Sequence, residues 1–321
     1  MGYKIIKEDK EEPEKMEIGK QASTSPRAIR YYGILTAYKD AKFILKQKWH
    51  INLKEASTEY NAPADYARNN KAAILILEHQ PSLRNIVVAN AQLYHGSQRD
   101  YIREAQALYL LQQASRIIYE FNLAKHKPKM KSGKIVKMTD REKEAYRYKS
   151  LPFLMGCDLN SNPSSAAFKV FMGRDCLDPN EVWYRPSQTS ELYMDHYKAI
   201  ELNLKKLLER KKLQPLVRTL QSAYKAVVYS HGQHTSRADT CYSSKCHGMY
   251  DHIIFNDSHL KVLQILEIPE ERRLAPSADN KPDIDGSMNM VAKLPNSIFP
   301  SDHLRIEVEF QLCKEALKRE D

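Results

Sequence analysis

The chain has 321 residues, with 50 Lys and Arg against 40 Asp and Glu, giving a formal net charge of +10 and a pI of about 9.1. Hydrophobic residues at 42% suffice for a sizeable core, which excludes wholesale disorder, and the longest aliphatic run, Ala72–Leu77, falls far short of the roughly 20 residues that cross a bilayer. Five cysteines form too sparse and odd a set for a disulfide framework and point to a reducing compartment, cytoplasm or nucleus, while 10 glycines with no Walker loop or dinucleotide fingerprint leave little for phosphate cradles.

Residues 1–30 are rich in Lys and Glu, carry Pro13 and Pro26 and end in the run Ser23–Ser25, so they are expected to form a polar, mobile arm; residues 31–321 are expected to form one domain. Short apolar runs bounded by polar turns predict buried strands at Gly33–Tyr38, Phe43–Leu45, Ala72–Leu77 and Asn85–Asn90. From Arg99 to Ala124, Ile102, Ala105, Leu108, Leu111, Ala114, Ile117, Ile118 and Phe121 recur at three- and four-residue spacing, which predicts a helix covering a sheet with an ordinary polar opposite face. Leu151–Gly156 reads as a buried strand, followed by a helix over Ser164–Phe171 opened by Asn162-Pro163-Ser164. Between about Ser187 and Val227, Ile200, Leu204, Leu207 and Leu208, then Leu216, Leu220 and Tyr224, predict two helices broken near Pro215. Strands return at Tyr250–Phe255, Leu260–Leu266 and His303–Leu312, the last alternating strictly between apolar and polar residues. The long connection from Pro269 to Pro300 is expected to be functional or mobile.

The surplus of positive charge fits a polyanionic partner such as nucleic acid. It is concentrated at Lys125, Lys127, Lys129, Lys131, Lys134 and Lys137, and again at Arg210, Lys211 and Lys212, although solvated loops and a helix end carry such charge equally well.

Three stretches could carry chemistry. In Cys157-Asp158-Leu159-Asn160-Ser161, at a strand-to-helix junction, residues i and i+2 project from one face, so a carboxylate and an amide could address the same ligand; a capping turn would use the same residue types. In Tyr250–Phe255 an acid, Asp251, enters an apolar strand and needs a partner such as His303. In Pro300-Ser301-Asp302-His303 a carboxylate adjoins an imidazole and could combine metal binding with contact to a charged oxygen. Cys241, Cys246, His247 and His252 have zinc-ligand chemistry but unsuitable spacing, and Cys157 has no evident base to make it a nucleophile.

Together these motifs resemble the deadenylase-like branch of the endonuclease/exonuclease/phosphatase superfamily, which includes the carbon catabolite repressor catalytic subunit, nocturnin and the Angel proteins. The resemblance runs from Gly2-Tyr3 through Gly33–Tyr38, Asn70–Glu78, Val87–Asn90, Cys157–Ser161, Leu220–Tyr224, Val228–His231 and Asp251–Phe255 to Pro300–Leu304. It implies an α/β fold, a four-layer α-β-β-α sandwich of two mixed sheets, and Mg²⁺-dependent cleavage of phosphodiester bonds in RNA, in the manner of a 3′-exonuclease of poly(A) tails, with no membrane partner. It further implies that Asp158 activates water, Asn160 holds the scissile phosphate, Asp302 binds the metal, His303 contacts the phosphate and Asp251 orients His303. Asn70, Asn90 and Gln92 fall at substrate-binding positions. Two departures accompany the matches. The strands that carry an Asn and the metal-binding Glu in this family lie upstream of the Gly-Tyr segment and are expected to be missing, since Glu8, Glu11, Glu12, Glu14 and Glu17 lie in the polar arm. Where the family has a His after Val-Ala-Asn, this chain has Gln92, which cannot become cationic at neutral pH. The alternative is therefore a catalytically impaired relative that binds nucleic acid or protein.

Overall fold

In the computed structural model the described residues are 2–8, 33–62, 64–96, 99–125, 129–131, 134–136, 138–147, 149–163, 165–172, 216, 220–224, 239–242, 247–268, 301 and 303–313. Their strands are β1 (Tyr3–Glu8), β2 (Ile34–Lys39), β3 (Phe43–Asn52), β4 (Lys71–His79), β5 (Arg84–Gln92), β6 (Lys129–Lys131), β7 (Lys134–Val136), β8 (Phe153–Asp158), β9 (Leu220–Ser222), β10 (Cys241–Tyr242), β11 (His247–Gly248), β12 (Asp251–Asn256), β13 (Leu260–Ile265) and β14 (Val308–Leu312). The helices are α1 (Glu55–Glu59), α2 (Asp100–Ala124), α3 (Asp140–Arg147) and α4 (Ala166–Met172).

The architecture follows from the apolar run of β4. A strand with one wet face would alternate, but Ala72 to Leu77 are all buried, so both faces of β4 are covered. Ala72, Ile74 and Ile76 join the core formed with α2 and α4, whereas Leu75 and Leu77 pack on the other side beneath Tyr38 and Ile6 of the β1–β2 hairpin. β4 lies within a six-stranded mixed sheet of order β3-β4-β5-β8-β12-β9. Its pairs are antiparallel except β5–β8, which are parallel. A parallel pair needs a long crossover, and α2 supplies it. β3 runs past the expected Leu45 to Asn52 and holds the edge, where exposed Lys46 and Lys48 keep the free strand wet.

The mixed α/β class and the large mixed sheet agree with the expected sandwich. In the second layer, the described strands form two-stranded antiparallel sheets, β1–β2, β13–β14 and β10–β11. β13–β14 closes over a second core of Tyr224, Tyr242, Met249, Ile268 and Leu304, and Phe310 meets Phe255 of β12 with ring centroids 5.0 Å apart.

Several expectations need correction. Residues 3–8, assigned to a mobile arm, form β1, whose register Tyr3↔Lys39 to Glu8↔Ile34 gives the segment backbone partners that its composition could not reveal; residues 9–30 lie outside the described residues. Leu220, expected in a helix, opens the edge strand β9. The 216/220/224 spacing mimics a helix, yet Leu220 and Ser222 are buried as alternate residues of a strand paired with β12. The rest of the two-helix expectation lies outside the described residues, apart from Leu216 and residues 220–224. The final strand is regular only from Val308 to Leu312, with His303 held by an isolated bridge to Cys241. Finally, the polar face of α2 is not ordinary near its start. Arg103, Glu104 and Gln106 are buried because loop carbonyls and side chains satisfy them.

Candidate active site

The strand register sets out one side of the site. Asp158 ends β8, Gln92 of β5 is its Cα partner on one flank, and Asp251 of β12 is its partner on the other. Period-two alternation sends Phe153, Met155 and Cys157 into the helix-side core, so Gly156 and Asp158 face the opposite way. On β12 the same rule buries His252 and Ile254 and turns Asp251 and Ile253 outward. Gly156, Asp158, Gln92, Asn90, Asp251 and Ile253 thereby line a cleft of about 440 Å³, walled by Gly33–Leu35 on one side and by Leu304 and Ile306 on the other.

His303 meets Asp251 from the second layer, next to Leu304 in the cleft wall. The Leu304 amide donates to the Thr240 carbonyl at 2.7 Å, while the buried Thr240 hydroxyl accepts from the Tyr250 and Asp251 amides, each at 3.0 Å. One threonine thus fixes the backbones beside both His303 and Asp251. Nδ1 of His303 lies 2.7 Å from Asp251 Oδ2. That hydrogen bond is the main reason the imidazole is pushed up to about 11, with a bond to Cys241 next, so the ring is cationic at neutral pH.

Asp158 is held by neutral donors. Its Oδ1 accepts the Asn160 amide at 2.9 Å; its Oδ2 accepts Asn160 Nδ2 at 3.0 Å and Gln92 Nε2 at 3.2 Å. Burial raises its pKa, and the neighbouring Asp251 charge raises it further, against the lowering effect of these donors. The Asx turn that a capping reading anticipated is therefore present, with the carboxylate still on the cleft. Asn160 does not continue the strand; it sits at φ 49°, a left-handed conformation that Asn tolerates better than most residues, and its amide also donates to the Leu93 carbonyl at 3.0 Å.

The remaining expected site residues divide. Asn90 lines the cleft, but its Nδ2 donates to the Leu35 carbonyl at 2.9 Å and Thr36 Oγ1 at 3.3 Å, tying β5 to the hairpin above it. Asn70 is not brought to the cleft, and its Oδ1 accepts from Gln106 Nε2 at 3.3 Å. Asp302 lies outside the described residues. The zinc grouping does not assemble among the described residues: Cys246 is outside them, and His252 packs on Phe168 on the helix side of β12 at 4.7 Å. Cys157 faces the same core, where burial pushes its thiol well up and keeps it protonated. Thr240 and Gly156 were not anticipated; a threonine that acts through backbone hydrogen bonds and a glycine in an apolar run carry no periodic signal.

Asp158, Asp251 and His303 each offer a ligand atom, and these atoms lie within 4.8 Å of one another. Two carboxylates this close repel when both ionise, and the raised Asp158 registers it; a divalent cation between them would relieve the repulsion. The donor set therefore fits a hard cation that keeps part of its water shell, with the cationic imidazole beside it suited to an anionic oxygen.

No family model matches the chain. It is 22% identical over 295 residues to the CCR4-Not complex 3′-5′-exoribonuclease subunit Ccr4 of Schizosaccharomyces pombe, an alignment covering 88% of this chain and 36% of that protein. The chain thus spans about a third of the length of this curated relative. Among solved structures, ANGEL2, a 2′,3′-cyclic phosphatase, in complex with adenosine-2′,3′-vanadate superposes with a TM-score of 0.56 at 19% identity, over 97% of this chain and 75% of that one. The human nocturnin catalytic domain with bound sulfate gives 0.51 at 16% identity, over 97% and 73%. This is the endonuclease/exonuclease/phosphatase fold. The three relatives are of the types named for the deadenylase-like branch, so the resemblance read from the motifs holds.

Proposed function

We propose that the chain is a Mg²⁺-dependent phosphodiesterase acting on RNA, in the manner of a 3′-exonuclease of adenylate tails, and that residues 31–321, together with β1, serve this activity as one intracellular domain. The observation that carries the reading is the convergence of Asp158, Asp251 and His303, from distant parts of the chain, to within 4.8 Å of one another beside a cleft lined by the two carboxylates. In this role Asp158, with its raised pKa, takes a proton from the attacking water; Asn160 turns to the phosphate the Nδ2 hydrogen that it now gives to Asp158; and the His303 imidazolium, oriented by Asp251, meets the negative charge that grows on the phosphoryl oxygens. Asp302 would hold the cation, which would relieve the Asp158–Asp251 carboxylate pair and supply charge neutralisation at the phosphate. Asn90 and Gln92 line the cleft where substrate would lie. The basic surplus of +10 favours a polyanionic substrate.

The test is hydrolysis of an end-labelled adenylate oligonucleotide with Mg²⁺ by the full chain and by Asp158→Ala. Release of mononucleotides by the wild type and its loss in the variant support the proposal, and equal background rates in both refute it.

One observation favours a second reading, a binding module without turnover. The Asp158 carboxylate is already engaged by three amide donors, and one of them, Gln92, cannot become cationic. Under that reading RNA still binds and the affinity falls steeply with salt, while no cleavage occurs. Absent or salt-insensitive binding refutes its nucleic-acid form.

A further inference from the structure

The first turns of α2 grip the loop that leaves β5 after Gln92. Arg103 is only 4% exposed. Its Nη1 donates to the carbonyls of Tyr94 at 3.1 Å and Gly96 at 2.6 Å, and its Nε and Nη2 donate to Asp100 Oδ1 at 3.1 and 2.5 Å. Each arm leads to the same turn. On one side, the loop held by Tyr94 and Gly96 begins at Leu93, whose amide donates to the Asp158 carbonyl at 2.9 Å and whose carbonyl accepts Asn160 Nδ2. On the other, Asp100 Oδ1 accepts the Ser161 hydroxyl at 3.4 Å.

A buried cation near a helix start is not there for the helix. The macrodipole puts partial positive charge at that end, so Arg103 opposes it, and desolvating a guanidinium adds a further cost. The site offsets both by satisfying the fork with two carbonyls and a carboxylate, a pattern that a lysine ammonium cannot reproduce because its donors do not form a planar fork. The turn it serves also needs support from outside. Asn160 occupies a left-handed conformation that persists in a non-glycine residue only when the surroundings hold it.

We infer that Arg103 is a positioning residue for the Asp158–Asn160 turn. It hydrogen-bonds to no cleft residue itself; it fixes Leu93 and Ser161 so that the Asn160 amide stays aimed at Asp158. The inference rests on the proposed role of Asn160 at the phosphate.

The experiment uses the full chain as wild type, Arg103→Met and Arg103→Lys. Hydrogen exchange at the Asn160 side-chain amide reports the turn, the His303 ring nitrogens report the opposite wall and the fold, and kcat and KM are read on an adenylate RNA with Mg²⁺. In Arg103→Met the Asn160 amide is expected to exchange about tenfold faster or more. The value of kcat should fall by roughly 10- to 100-fold, with KM within about threefold. Arg103→Lys should lie between, and the His303 signals should not move. A folded Arg103→Met with wild-type Asn160 protection overturns the inference, as does a loss of kcat accompanied by collapse of the His303 signals, which would mark a general structural role. If Arg103→Met does not fold, Arg103→Lys decides on the same amide, and an unchanged amide there overturns the inference. A wild type that binds RNA without hydrolysing it sinks the proposed function, and the amide measurement still decides the positioning.

Discussion

Asp158 and Asp251 are direct cross-strand partners at the ends of β8 and β12, yet they are satisfied in opposite ways: Asp158 by neutral amides, Asp251 by the imidazole of His303. This asymmetry separates their chemistry. The carboxylate without a cation is the one whose pKa is raised, and the one with a cation holds the imidazole protonated.

Removing that carboxylate charge should release the imidazole. In Asp251→Asn the His303 ring, now at about 11, is expected to titrate back near the ordinary histidine range of about 6.5, read by ring-nitrogen NMR across pH. Hydrolysis of RNA at neutral pH is expected to fall roughly 100-fold, because the ring is then neutral beside the phosphate. A ring that stays protonated to alkaline pH would show that another group, such as Cys241, holds the charge.

Gln92 tests the electrostatics from the other flank. Its amide donates to Asp158 Oδ2 at the exposed rim, so Gln92→Ala should leave the melting temperature nearly unchanged. Gln92→His places a potential cation at that rim, where charge-assisted hydrogen bonds are about twice as strong as neutral ones. It is expected to raise kcat/KM for an adenylate RNA by about tenfold, measured side by side with wild type. No gain, or a loss, means the rim does not face developing negative charge.

The sequence made the strands of the large sheet, α2 and α4 legible because each has a strong period: a two-sided apolar run in β4, a three-and-four repeat in α2. The pairing of Asp251 with His303 was also legible, since an acid in an apolar strand demands a partner. What stayed hidden were features that local pattern cannot encode. β1 lies in a Lys- and Glu-rich segment and takes its place through the register with β2 and the packing of Ile6. β9 is only three residues long, too short for alternation to outweigh an apparent helical repeat. Arg103 and Gln106 read as solvent-facing positions of an amphipathic helix, and only the path of the loop after β5 buries them. Thr240 acts through its hydroxyl on the successive amides of Tyr250 and Asp251, a contact without a sequence signature.

His252 should make stability depend on acid. It is fully buried, neither ring nitrogen has a hydrogen bond of good geometry among the described residues, the Met249 and Ser161 backbones approach it and raise its pKa only slightly, and burial outweighs them and pushes the pKa down to about 4. In the unfolded chain an ordinary histidine takes up a proton near 6.5. The folded state therefore keeps its full stability above about pH 6.5, loses it as the pH falls because the unfolded state protonates first, and stops losing it below about 4. The total is about 3 kcal/mol, from about 1.4 kcal/mol for each pH unit between the two values. His252→Phe keeps the packing on Phe168 and removes the buried, poorly satisfied ring nitrogens. It should melt at or above the wild-type temperature at pH 7 and lack this share of the acid dependence. Identical pH–stability curves for the two proteins would show that the imidazole finds a partner.

Gly156 gives the most direct test of the cleft itself. It sits in the middle of β8, where glycine normally weakens a strand, and a Cβ built on it would meet no atom within 4 Å. The open space above it is the cleft between the walls at Ile34–Leu35 and Leu304–Ile306. Gly156→Val should therefore fold at least as well as wild type, since a β-branched residue suits a strand and nothing obstructs it. Its methyl groups would project into the space that a phosphodiester ligand needs beside Asp158. Melting temperature unchanged or higher, together with roughly tenfold or greater loss of RNA affinity by fluorescence anisotropy, is the expected pair of results. Affinity and turnover equal to wild type in a well-folded Gly156→Val protein would mean that the ligand lies elsewhere, and the roles given to Asp158, Asn160 and His303 would fall with it.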